Sequence, residues 1–117
     1  MSIERIQSGP RMSQAVIHNG TVYLAGQIAS GAPGGSVTEQ VKDILSKIDT
    51  LLASAKSDKS KILSATIWLT DMSAFQEMNA LWDAWVTPGA TPARATVASP
   101  QLATPDYKVE IAVIAAQ

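Results

Sequence analysis

The dipeptide Asn19–Gly20 constrains the fold of this chain more than any other local feature, because it separates two runs rich in Val, Ile and Tyr. A type I′ turn needs positive φ at both central residues, and Asn followed by Gly adopts that conformation at low cost. The pattern therefore predicts a β-hairpin over about residues 14–28. We expect a short edge strand beside it, over residues 3–7.

Two helices are predicted after this hairpin. The segment Ser36–Glu39 has the spacing of a capping box, and an apolar stripe with a helical period runs over residues 37–55. Asp71 or Ser73 is expected to cap a second helix that ends near Val86, just before a Pro-Gly pair. Each helix therefore carries its own start signal and one apolar face.

Three further β-prone segments, residues 61–70, 93–99 and 107–115, complete the predicted order β-β-β-α-β-α-β-β. Strand pairs combined with βαβ crossovers predict a mixed sheet with both helices packed on one face. The fold class is therefore α+β. The length of 117 residues, without a linker or a repeat, is interpreted as a single domain over residues 1–117.

Composition excludes several kinds of chemistry. The chain has no cysteine and one histidine, which excludes disulfides, thiol catalysis and zinc sites built from Cys or from several His of one chain. A formal net charge of -1 gives no electrostatic footprint for nucleic acid. Because no apolar run approaches the roughly 18 residues of a membrane span and no signal peptide is recognisable, we expect a cytoplasmic protein without membrane contact.

Arg94 and Glu110 are the leading candidates for a functional pair. Arg94 opens one predicted strand, and Glu110 interrupts an apolar run in the last. If these two strands form a hairpin centred near Leu102, the two side chains are cross-strand neighbours. One interpretation is a structural ion pair. The other is a site in which the guanidinium clamps a substrate carboxylate while the glutamate positions or deprotonates a water.

Three other positions are interpreted in two ways each. Thr96 shares a strand face with Arg94, and it is either an ordinary strand threonine or part of the same pocket. Trp85 belongs either to the core or an interface, or to an aromatic pocket wall. Gly26–Gln27 inside an apolar strand marks a β-bulge or a close approach of the backbone to a ligand.

Five short motifs in order identify a family resemblance over nearly the whole chain. They are Gln14-Ala-Val, Ala25-Gly-Gln-Ile, Asp71-Met-Ser-Ala-Phe with Asn79, Pro92-Ala-Arg, and Val109-Glu-Ile with Ala115. The chain resembles the reactive intermediate deaminase family, RidA or YjgF. The resemblance implies a chorismate-mutase-like fold, a six-stranded mixed sheet backed by two helices, and a homotrimer with clefts at the subunit interfaces.

The same resemblance implies hydrolysis of enamines and imines of the 2-aminoacrylate type to 2-keto acids and ammonia, with no metal and no organic cofactor. By this likeness Arg94 binds the substrate carboxylate, Glu110 positions the attacking water, and Gly26 contributes backbone contacts. A small imine, enamine or 2-keto acid is the expected partner, and nucleic acid is not.

The chain departs from the family pattern where it has Ala25 for Ser, Thr96 for Cys, Met12 for Tyr and Ala112 for Glu. These departures indicate a divergent subgroup, in which Ala25, Thr96, Met12 and Trp85 are expected to line the substrate site with Gly26 and Arg94. Two alternatives stay open. One is a non-catalytic trimer that binds small carboxylates or regulates a partner, and the other is RNA cleavage, which the charge disfavours.

Overall fold

The Asn19–Gly20 pair forms the predicted turn, with φ of 52° and 77° at its two residues and His18 paired with Thr21 across it. The computed structural model describes residues 2–117. Its strands are β1 (Glu4–Ser8), β2 (Ser13–His18), β3 (Thr21–Leu24), β4 (Gln27–Ile28), β5 (Ile62–Leu69), β6 (Ala93–Ala98) and β7 (Val109–Ala116). The edge strand and the hairpin are therefore confirmed.

Both predicted helices form close to their predicted N-capping residues. Helix α1 (Val37–Ser54) begins after Ser36, whose side chain accepts a hydrogen bond from the Glu39 amide while the Glu39 carboxylate accepts one from the Ser36 amide. Asp71 caps a 3₁₀ turn, Met72–Ala74, that leads directly into α2 (Phe75–Trp85). Side-chain caps satisfy amides that the first helical turn leaves unpaired, so each cap fixes where the chain becomes helical.

The sheet is mixed, as predicted, with the strand order β1-β2-β3-β7-β5-β6. Every neighbouring pair is antiparallel except β5 and β6, which the α2 crossover makes parallel. Strand β4 continues the line of β3 and also pairs with β7. The third of the six predicted strands is therefore split into two short pieces.

Both helices cover one face of the sheet, which we call the helix face. Along β7 every second side chain, including Val109 and Ile111, is fully buried against them, whereas Glu110 and Ile114 lie on the opposite, open face. Alternation along the predicted strand over residues 61–70 places Leu63 on the same face as Ala65, Ile67 and Leu69, and this expectation is wrong. A register shift next to Leu63, typical of a β-bulge, leaves its side chain 54% exposed.

The predicted hairpin between the last two strands is also wrong, because β5 lies between β6 and β7. The crossover through α2 places β6 on one edge of β5, and β7 occupies the other edge. Arg94 therefore pairs with Ala65, and Glu110 pairs with Trp68. Arg94 and Glu110 are not cross-strand neighbours, and the structural ion pair between them does not form.

Candidate functional site

Arg94 lies on the helix face of β6, next to the buried Ala65, and its side chain extends toward α2. The guanidinium carbon is 5.9 Å from the ring centroid of Phe75 and 5.5 Å from that of Trp82. Cation–π contacts with two rings hold the planar group in place without using its N–H donors. Among residues 2–117 the one ion pair joins Lys47 to Asp43, so the guanidinium has no carboxylate partner there.

Two orphaned polar atoms lie beside this arginine. Thr96 follows it on the same face of β6, and its Oγ1 is buried without a hydrogen-bond partner. Asn79 has a buried Oδ1 that is also unpartnered, and it stands four residues after Phe75 and three before Trp82, on the same side of α2. Because buried polar atoms are almost always paired, the two indicate a place that a ligand completes.

Asn79 was not predicted as a site residue, although it belongs to one of the family motifs. The local signal for it is an amide within the apolar stripe of an amphipathic helix. We call Arg94, Thr96 and Asn79, together with the rings of Phe75 and Trp82, the Arg94 half-site.

Glu110 occupies the open face of β7, where its pairing partners are Ile28 on one side and Trp68 on the other. Its carboxylate rests on the backbone of Gly26, because a Cβ built at residue 26 would come within 2.9 Å of Glu110 Cδ and closer still to Oε2. Burial raises the pKa of the Glu110 carboxyl above its ordinary value. We call Glu110 and Gly26 the Glu110 half-site.

The backbone that carries Gly26 is held by two glutamines. Gln27 Nε2 donates to Gln14 Oε1 and to the Ala25 carbonyl, both at 2.9 Å, and the Ala25 amide donates to the Gln14 carbonyl. Residues 24–26 stand opposite only residues 112–113 of β7, so the β-bulge interpretation is correct. The group that closely approaches the bulge in this chain is the Glu110 carboxylate.

Met12 is an exposed residue of the turn between β1 and β2, and it borders a cavity of about 560 Å³ that Gly26 also lines. Lys47 of α1 closes this cavity, since its ammonium donates to the Ile28 carbonyl at 2.9 Å and to the Ser30 hydroxyl. The remaining lining residues are Gln7, Gln14, Gln27, Ser46, Thr50 and Leu51. The cavity therefore shares Gly26 with the Glu110 half-site.

Trp85 lies elsewhere, in a groove of about 330 Å³ between α1 and α2. Its indole N–H donates to Asp49 Oδ2 at 3.1 Å, and Lys59 Nζ is 5.5 Å from its ring centroid. Although its ring packs 5.4 Å from that of Trp82, Arg94 does not line this groove. Within one chain Trp85 therefore meets the Arg94 half-site only through the ring of Trp82 and does not reach the Glu110 half-site.

The two half-sites of one chain point away from each other. Arg94 and Thr96 lie on the helix face, and Glu110 lies on the open face. No group of three or more His, Asp or Glu among residues 2–117 is arranged to hold a metal ion. Over the same residues, no helix is both long enough and apolar enough for a transmembrane segment.

Comparisons with known proteins agree on one family. The family described as Endoribonuclease L-PSP matches residues 2–117. A RutC family protein of Haemophilus influenzae is 44% identical over 115 residues, covering 98% of each chain. The goat 2-iminobutanoate/2-iminopropanoate deaminase is 35% identical over 111 residues, covering 90% of this chain and 79% of the goat protein.

Solved structures give the same result. The crystal structure of a YjgF family member from Neisseria meningitidis superposes with a TM-score of 0.93 at 43% identity, covering 100% of this chain and 96% of that one. The resemblance to RidA and YjgF proteins is confirmed by these matches, and so is the predicted fold class. The chain belongs to the Endoribonuclease L-PSP family, the family of the YjgF, RutC and RidA proteins.

Proposed function

We propose that this protein hydrolyses small 2-imino acids and their enamine tautomers to 2-keto acids and ammonia, at sites formed between subunits of a homotrimer. The proposal rests on the environment of Arg94. Its guanidinium lies over two aromatic rings and has no acidic partner among the described residues. The goat relative that is named 2-iminobutanoate/2-iminopropanoate deaminase supports the reaction type.

Arg94 is suited to bind a carboxylate. A guanidinium presents its N–H donors as a planar fork that matches two carboxylate oxygens, and a fork fixed by stacking loses little freedom on binding. The unpartnered oxygens of Thr96 and Asn79 then lie where the rest of a small polar molecule would be held. A hydroxyl donates or accepts, whereas the amide oxygen of Asn79 accepts, for example from an imine N–H.

Glu110 is suited to act on water. Its partly buried carboxylate has a raised pKa and therefore accepts a proton more readily than an exposed glutamate. In the proposed reaction the water oxygen bonds to the imine carbon, the π electrons move to nitrogen, and Glu110 receives the proton. Glu110 returns this proton to nitrogen, which gives a carbinolamine. The hydroxyl proton then passes through Glu110 to nitrogen as the C–N bond breaks, so the C=O bond of the 2-keto acid forms and ammonia departs.

Assembly is required because one chain holds Arg94 and Glu110 on opposite faces of its sheet. The open face carries exposed apolar side chains, including the directly paired Tyr23 and Ile114, which supports association of sheets from different subunits. We therefore assign the Arg94 half-site of one subunit and the Glu110 half-site of its neighbour to the same cleft. This arrangement agrees with the trimer that the family resemblance implies.

The carboxylate of a small imine suits this site better than RNA does. RNA binding depends on several cations that neutralise phosphates, whereas this chain has a net charge of -1 and one arginine in the proposed site. The printed family description names an endoribonuclease, so RNA retention and cleavage belong in the test as separate measurements.

The test measures hydrolysis of enzymatically generated 2-iminopropanoate against the spontaneous rate. We expect acceleration by the wild-type protein and a drop in kcat/KM of about a hundredfold for Arg94→Ala, because a charge-assisted bidentate contact is lost. Lys61→Ala, which removes an exposed cation just before β5, is the control and should keep full activity. Binding of 2-ketobutyrate by a wild-type protein that gives no turnover would instead establish the non-catalytic alternative.

A further inference from the structure

We infer that Gly26 and Gln27 are positioning residues for Glu110. Because Gly26 has no side chain, the Glu110 carboxylate packs directly on its backbone, which we call the seat. The Gln27 side chain holds the peptide that forms this seat. The catalytic role of Glu110 in this inference rests on the proposed function, whereas the contact between Gly26 and the Glu110 carboxylate is seen in the structure itself.

Glycine at position 26 is not required by the backbone. Its φ lies outside the left-handed region, unlike that of Gly20, Gly34 and Gly89. An alanine is therefore conformationally allowed at residue 26. What an alanine would meet is Glu110, since its Cβ would overlap Oε2 and lie 2.9 Å from Cδ and 3.2 Å from Cγ.

Glu110 has no other fixed partner in the described chain. Its neighbours across the sheet are Ile28 and Trp68, which carry no charge, and burial is the one cause of its raised pKa. Lys108 comes just before β7, and its ammonium donates to the Gly35 carbonyl at 2.9 Å. The seat at Gly26 therefore decides how deeply the carboxylate is buried.

Gln27 makes the seat rigid. Its side chain is 6% exposed, and its amide nitrogen binds the Ala25 carbonyl and Gln14 Oε1 at the same distance. The Ala25 carbonyl belongs to the peptide that links residues 25 and 26. Fixing this carbonyl fixes the plane on which the Glu110 carboxylate rests, in a segment where the bulge interrupts the regular β-ladder.

The primary experiment titrates the glutamate carboxyl groups by carbon NMR in wild-type protein and in Gly26→Ala. The chain has only four glutamates, Glu4, Glu39, Glu77 and Glu110, so comparison with Glu110→Gln assigns the signal. We expect the Glu110 pKa to fall toward its ordinary value in Gly26→Ala, because the carboxylate is pushed into water. An unchanged Glu110 pKa would overturn the inference.

Kinetics provide the second measurement. Gly26→Ala should lower kcat for imine hydrolysis by about a hundredfold, as expected for a misplaced catalytic group, and leave KM nearly unchanged because Arg94 is untouched. The acidic limb of the pH profile should move to lower pH. In a Glu110→Gln background, the same glycine substitution should cause no further loss, whereas an additive loss would contradict the positioning role.

Two further variants complete the test. Gly9→Ala is the matched control, because its φ is also not left-handed and its Cβ would meet only the Met12 carbonyl at an ordinary 3.7 Å. Gln27→Leu keeps the volume and removes both hydrogen bonds, so it should shift the Glu110 pKa and the pH profile in the same direction by less. If the wild-type protein turned over no imine but the Glu110 pKa still responded to Gly26→Ala, the proposed function would fail while the positioning geometry stood.

Discussion

Arg94 and Glu110 lie on opposite faces of one sheet, with β5 between their two strands. A pair that was expected to meet across a hairpin instead faces in two directions, one side chain toward α2 and the other away from the helices. No small molecule contacts both groups of a single chain through a packed sheet. Under the proposed function, this relationship makes the activity a property of the assembly, and mixing subunits tests it.

Mixed trimers of Arg94→Ala and Glu110→Gln subunits should show far more activity than either variant shows alone. A cleft with both groups intact needs its arginine from a Glu110→Gln subunit and its glutamate from an Arg94→Ala subunit. Random assembly of equal amounts therefore restores about a quarter of the wild-type sites. The measurement is imine hydrolysis after the two variants are co-expressed or refolded together.

The control for this experiment mixes wild-type protein with the double variant Arg94→Ala/Glu110→Gln. Here too about a quarter of the clefts combine both intact groups, so the two mixtures should match. Failure of the single variants to complement each other, in mixtures shown to contain hetero-oligomers, would place the whole site within one chain.

Ile114→Arg should separate the subunits. Ile114 is 37% exposed on the open face and pairs with Tyr23, so a charge there would be desolvated on association. We expect a folded monomer by light scattering and circular dichroism, and loss of imine hydrolysis. Ala53→Arg, on the exposed side of α1, is the control and should leave both the assembly and the activity intact. An Ile114→Arg protein that remained an active trimer would exclude the open face as the interface.

The sequence was a good guide to each local element. The Asn19–Gly20 turn and the Ser36–Glu39 capping box act within a few residues, so their patterns locate a hairpin and a helix start without knowledge of the rest. The family motifs also directed attention to Arg94 and Glu110, the two charged residues of the proposed site. Leu63 is an exception, because a single inserted residue reverses the face of its side chain, and periodicity alone does not reveal a bulge.

The features that sequence reasoning missed depend on the pairing of strands that are far apart in the sequence. Whether β7 pairs with β6 or with β5 depends on the α2 crossover and on the core, and both arrangements satisfy the same alternation of apolar residues. The error placed Glu110 beside Arg94, whereas the structure has it on the opposite face. The role of Asn79 was missed for a related reason, since only the packed structure shows that its amide oxygen is buried and has no partner.

Asn79→Ala should weaken ligand binding without destabilising the fold. The substitution removes a buried, unpartnered oxygen and introduces a better helix former, so the melting temperature should stay the same or rise. Loss of the hydrogen bond that Oδ1 accepts from the imine N–H should raise KM for 2-iminopropanoate about fivefold, as measured in the hydrolysis assay. Gln40→Ala offers the contrast. The Gln40 side chain is fully buried, and both its amide nitrogen and its amide oxygen are hydrogen-bonded to the backbone. Removing this side chain should lower the free energy of unfolding by about 1–3 kcal/mol.

Glu110→Gln should stabilise the protein increasingly as the pH rises. Burial raises the Glu110 pKa in the folded state, so the folded chain holds this proton more tightly than the unfolded chain, and wild-type stability falls as pH rises from the ordinary pKa through the raised one. Glutamine does not titrate, so the variant escapes this loss. The lowered pKa values of Asp58 and Asp71 act in the opposite sense but are common to both proteins and cancel in the difference. Urea unfolding between pH 4 and 8 should therefore show a difference in unfolding free energy that grows and then levels off. A difference that stayed flat, or shrank as pH rose, would show that the Glu110 carboxylate is not desolvated in the folded assembly.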